Sequence, residues 1–91
     1  MPVYAVERDL KGITMDQLAA AQKRAIASSK KFSETGQDVR YIRTMYIPGE
    51  ERSMCLFEAP DASTVENVNR DAAIPYTRVI EALDLTPAGN A

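Results

Sequence analysis

Histidine is absent from the 91 residues, and cysteine occurs once, at Cys55. Without imidazole there is no Ser-His-Asp triad, no histidine-activated thiol and no zinc site built on histidine. A single thiol excludes an intrachain disulfide and points to a reducing, cytoplasmic home. No apolar run approaches the roughly 18 residues of a membrane span. The first residues lack a signal-peptide core, so no membrane partner is expected. Acids and bases are interspersed, with a net charge of −2, which leaves no basic stripe for a phosphate backbone. The Arg/Lys-Gly-Phe/Tyr run of an RNA-binding sheet is also missing, so no nucleic-acid partner is expected. The glycines are isolated and form no phosphate-cradling loop.

What is present reads as a single domain over residues 1–86 with a loose tail over 87–91. Residues 3–8, Val-Tyr-Ala-Val-Glu-Arg, form a β-branched and aromatic run that predicts a strand. Thr14 and Gln17 fit a capping box, opening a helix that runs to about Glu34, with Gly36 placed for the left-handed cap. Leu18, Ala21, Ala25, Ser29 and Phe32 recur at helical spacing as its inward face. Residues 39–47 and 52–59 alternate as the arms of a hairpin about the turn Pro48-Gly49-Glu50-Glu51. Asp61, or Ser63 with Glu66, caps a second helix that Pro75 ends near Ala72. Residues 77–85 alternate as a last strand.

The order β-α-β-β-α-β, with right-handed crossovers, predicts a ferredoxin-like α+β sandwich. Both helices cover one face of a four-stranded antiparallel sheet of order 4-1-3-2. A chain this short buries only about 60–65% of its unfolded surface, and the uncovered face is too apolar for water. A homodimer stacking two sheets into a barrel-like body is therefore expected.

With Ile47 opposite Arg52, the uncovered face carries Tyr41, Arg43, Met45, Met54, Leu56 and Glu58. An Arg and a Glu among such residues look like a lined pocket or an interface. Glu7, Arg43, Glu58 and Glu81 are charges in strands, where charge is depleted. Sharing a face, the carboxylates would be raised by burial and lowered again by Arg43. Such a carboxylate could act as a general base or bind a cation; the plainer reading is an ion pair across strands or across the dimer. The tyrosines could hydrogen-bond a ligand, but Tyr is also an ordinary strand residue. Cys55 falls on the helix-packed face and reads as an inert buried thiol. Met45 and Met54 could be soft copper ligands, though packing explains them better.

Tyr4-Ala5-Val6-Glu7-Arg8-Asp9-Leu10, then Cys55-Leu56-Phe57-Glu58-Ala59-Pro60, then Ala73-Ile74-Pro75 occur in an order that resembles a family. The family is one of small bacterial domains of unknown function that include a nickel-responsive, nickel-binding protein of actinobacteria. The resemblance covers residues 2 to 87 and implies a ferredoxin-like dimer. Metal-binding relatives use histidines that would fall near Arg43 and Val68. Arg43 is a permanent cation and Val68 has no donor atom, so the nickel site is not carried over and neither metal nor cofactor is expected.

The first functional reading is a small dimeric binding protein. It would hold a polar or anionic molecule in the sheet cleft, with Arg43 as anchor, Tyr41 and Glu58 orienting, and Met45 and Met54 lining. A second reading is a cofactor-free oxygenase or isomerase with Glu58 or Glu7 as base and Arg43 stabilising the oxyanion. A third is a structural or regulatory dimer whose charges are interface pairs. The residues specify no reaction.

Overall fold

Thr14 Oγ1 accepts the backbone N–H of Gln17 at 3.1 Å, while Gln17 Oε1 accepts the N–H of Thr14 at 2.9 Å. This reciprocal cap starts α1 (Met15–Glu34), and Gly36 closes its far end at φ +93°. In the computed structural model, which describes residues 1–85 and 87, the other elements are β1 (Val3–Asp9), β2 (Arg40–Ile47), β3 (Arg52–Glu58), α2 (Ala62–Asp71) and β4 (Arg78–Ala82). The element order is therefore β-α-β-β-α-β, as expected. The four strands pair antiparallel in the order β2-β3-β1-β4. This is a ferredoxin-like α+β fold. The tail expected over 87–91 lies, apart from Pro87, outside the described residues.

Small side chains let α1 approach the sheet: Ala21, Ala25, Ser28 and Ser29 are its buried positions, with Leu18 and Phe32 half-buried beside them. In α2 the cap is Asp61, whose carboxylate accepts both the N–H and the hydroxyl of Thr64. That leaves Ser63 and Glu66 free of the role. Val65 and Val68 face inward and are fully buried around Phe57 and Val6. Beyond α2, Ala73 adopts φ +57°, a conformation that costs an L-residue roughly 1–2 kcal/mol. Buried Ile74 and the carbonyl of Pro75, which accepts from Arg8 at 3.1 Å, hold it there.

The hairpin register departs from simple alternation at one point. Ile47 pairs with Arg52 and Arg43 with Leu56, as the sequence predicts, but Tyr41 pairs with Phe57 and Arg40 with Glu58. Ile42 is the extra residue of a β-bulge, which shifts the faces of the residues before it. Tyr41 is thus moved off the uncovered face and onto the helix side. Its ring meets Phe57 edge-on at 5.5 Å, and its hydroxyl bonds Gln22 Nε2 at 2.9 Å and Thr44 Oγ1. That packing and those hydrogen bonds compensate for the lost ladder contact.

The last strand is also shorter than its alternation suggests. β4 stops at Ala82, opposite Val3. The next residue along β1 is Pro2, which has no N–H to continue the ladder.

Candidate functional site

The face of the sheet away from the helices follows from the registers. Along β1 it carries Val3, Ala5 and Glu7. Their partners on β3 are Glu58, Leu56 and Met54, and those on β4 are Ala82, Ile80 and Arg78. β2 adds Arg40, Arg43, Met45 and Ile47. Met45 and Met54 are direct cross-strand partners, as expected. Met45, Ile47 and Ile80 are 58%, 38% and 36% exposed, so this face is apolar and open in the protomer.

Three guanidinium–carboxylate pairs frame it. Arg40 Nε meets Glu58 Oε1 at 3.3 Å. Arg78 grips Glu7 through two nitrogens, at 2.5 and 3.3 Å. Arg43 Nη2 meets Asp84 Oδ2 at 2.7 Å. The last pair spans the sheet, because Arg43 lies on one edge strand and Asp84 follows the other. The chain after β4 must therefore lean back across the open face, with Leu83 and Leu85 left largely exposed on either side of Asp84. Pairs this accessible hold side chains in place more than they stabilise the fold.

These contacts redistribute the expected site. Arg43 and Glu58 share the face but do not pair with each other. Glu7 is also there, gripped by Arg78. Its hydrogen bonds from Arg78 hold the carboxyl below the usual range; partial burial opposes this, and the charges of Arg78 and Arg52 add to it. The partner that lowers it is thus Arg78, not Arg43. Glu81 stands opposite Tyr4, on the helix side of the edge strand and exposed. Asp84, Arg40 and Arg78 were not foreseen. The signal for Asp84 would have been Pro2, which leaves β4 without a partner beyond Ala82.

A metal centre fits this donor set poorly. The chain has no imidazole, Glu7, Glu58 and Asp84 are each tied to a guanidinium, and Val68 is fully buried in the core. Among the described residues no three His, Cys, Asp or Glu side chains come together. Nor is any helix among them long and apolar enough to cross a membrane.

Comparison with known proteins gives a consistent placement. The family described as nickel responsive protein SCO4226-like matches residues 4–82. The crystal structure of SCO4226 from Streptomyces coelicolor A3(2) superposes with a TM-score of 0.77 at 24% identity, covering 92% of this chain and 99% of that one. At that identity the likeness speaks for the fold. No curated protein sequence matches. The match over residues 4–82 spans nearly all of the β-α-β-β-α-β unit, and the chain belongs to the nickel-responsive SCO4226-like family.

Proposed function

We propose that this chain is a non-enzymatic binding protein that works as a homodimer. Two copies pair through their open sheet faces, and a small polar or anionic molecule sits in the cleft between them. The observation that carries the reading is the composition of that face. Exposed Met45, Ile47 and Ile80 surround half-buried Met54 and Leu56, with Arg40, Arg43 and Arg78 carried on the edge strands. Water is a poor partner for such a surface, whereas a second copy buries it symmetrically. Arg43 is the anchor. Its side chain remains 55% exposed beside Asp84, so an incoming anion can take the guanidinium over from the aspartate. Met45 and Met54 line the cleft, and Glu58, oriented by Arg40, contributes the polar edge.

The family's description names nickel, but the donors around Arg43 do not suit that ion. The reading for this member is therefore a response to a different, negatively charged or polar molecule. Glu7 also argues against proton abstraction here. A general base working near neutrality needs a carboxyl pushed up, and Arg78 pushes this one down.

The test is native mass spectrometry of protein purified from its own host, for the wild type and for Arg43→Leu. The reading expects a dimer mass with an additional non-covalent mass in the wild type. The variant should keep the dimer and lose the added mass. An added mass unchanged in Arg43→Leu would refute the anchor.

A further inference from the structure

Beneath α1, on the opposite side of the sheet from the open face, a cavity of about 140 Å³ is walled by Arg8, Ser53, Cys55 and Thr44 on the strands. Leu18, Ala21 and Ala25 close it from the helix. Arg8 and Ser53 are cross-strand partners, so their side chains stand next to each other on this face. Both are buried, at 3% and 4% exposure.

Arg8 is a cation with no counter-ion among the described residues. Among the described residues no carboxylate oxygen lies within 4.0 Å of it. Glu7 and Asp9 fall on the other face by strand alternation. The guanidinium donates to the Pro75 carbonyl at 3.1 Å, to Asn69 Oδ1, and at 3.7 Å to Cys55 Sγ. All of these are neutral acceptors. A buried charge is stable only when paired or fully hydrogen-bonded. The hydroxyl of Ser53 is the one buried side-chain polar atom among the described residues that has no partner. An unpaired cation and an orphan hydroxyl side by side in a cavity specify what is missing: a group with negative charge and more than one acceptor oxygen.

We propose that this cavity binds a small organic monocarboxylate. The carboxylate lies against Arg8 and Ser53, and a short apolar tail lies along Leu18, Ala21 and Ala25. The single cation favours a monoanion over inorganic phosphate, and the aliphatic wall favours a ligand with a hydrocarbon body. The volume far exceeds the roughly 10–15 Å³ that one water requires. Gln22, which also lines the cavity, is exposed and marks the way in from solvent. The site is separate from the Arg43 cleft and does not depend on it.

Sodium butyrate is the probe, titrated into the full chain at constant ionic strength against sodium chloride, sodium phosphate and n-butanol. Binding is read by calorimetry and by the rate at which iodoacetamide alkylates Cys55. The expected result is saturable binding of one butyrate per chain. Cys55 alkylation should slow about tenfold when butyrate stands about tenfold above its dissociation constant, because only the empty fraction reacts. Arg8→Met could fail to fold, so two other variants carry the test. Asn69→Asp supplies Arg8 with an internal carboxylate, and Ala21→Leu fills the cavity from the helix. Each should weaken butyrate by at least about tenfold, while Arg43→Leu leaves it unchanged. The proposal is overturned if butyrate does not saturate, if phosphate or n-butanol binds as well as butyrate, or if folded Asn69→Asp and Ala21→Leu bind it as the wild type does.

Discussion

Replacing Asn69 by Leu tests how strongly the core depends on the Arg8 cluster. Asn69 is fully buried in α2. Its carbonyl accepts from the Arg8 guanidinium and its amide donates to the Val65 carbonyl at 2.7 Å. Leu has the same branched shape and heavy-atom count but bulkier methyl groups, so an overpacking cost of about 1 kcal/mol enters as well. What is lost is a hydrogen bond to a charged group, about 1.5–3 kcal/mol, together with the cost of a buried cation left with one fewer acceptor. The Val65 carbonyl still has its helical N–H. The extra apolar burial of Leu returns about 1 kcal/mol. The net loss should be about 3 kcal/mol, a large share of the roughly 5–14 kcal/mol expected for a chain of this length. At about 4–8 °C per kcal/mol the melting temperature should fall by about 12–24 °C. Urea unfolding followed by circular dichroism reads the loss, with the slope against denaturant unchanged. A loss under about 1 kcal/mol would refute the reasoning, since the Asn69 carbonyl would then give Arg8 nothing that it does not find elsewhere.

Two further outcomes follow from the charges. Glu7, Asp61 and Asp71 all have lowered carboxyl pKa values. The causes are the hydrogen bonds from Arg78, from the N–H and hydroxyl of Thr64, and from Lys31 and Ser28. A lowered folded-state value means that the unfolded chain takes up protons first. The stability these groups supply is therefore complete above about pH 5 and drains away as pH falls through their folded values. The urea midpoint should be flat through weakly acidic pH and then drop, and Asp61→Ala should drop less; an equal drop would remove the cap from the account. Calorimetry with Ni²⁺ should show no saturable binding tighter than roughly millimolar, because the chain has no imidazole and no carboxylate cluster occurs among the described residues. Micromolar binding would contradict the donor-set argument.

The local features were readable from the sequence because their causes are local. The Thr14–Gln17 box, the Gly36 cap and the stop before Pro75 each depend on residues a few positions apart. The alternation of β3 and of the second half of β2 carried the register Ile47↔Arg52 and Arg43↔Leu56. Tyr41 was misplaced because the bulge at Ile42 depends on Phe57 and Gln22, contacts that no strand periodicity encodes. Arg8 looked like the charged end of a strand. Its burial depends on Asn69 and Pro75, 61 and 67 residues away. Asp84 was read as part of a strand, when the position that decides its fate is Pro2 at the far end of the chain.

The central claim is that the open sheet face is an interface between two copies. Leu56 sits on an inner strand of that face, between Arg43 and Ala5, and is only half-buried in the protomer. Sedimentation equilibrium on the wild type and on Leu56→Glu addresses the claim most directly. The account predicts a dimer at micromolar concentration for the wild type and a folded monomer for the variant. A wild-type monomer, or a variant that dimerises equally well, would contradict it.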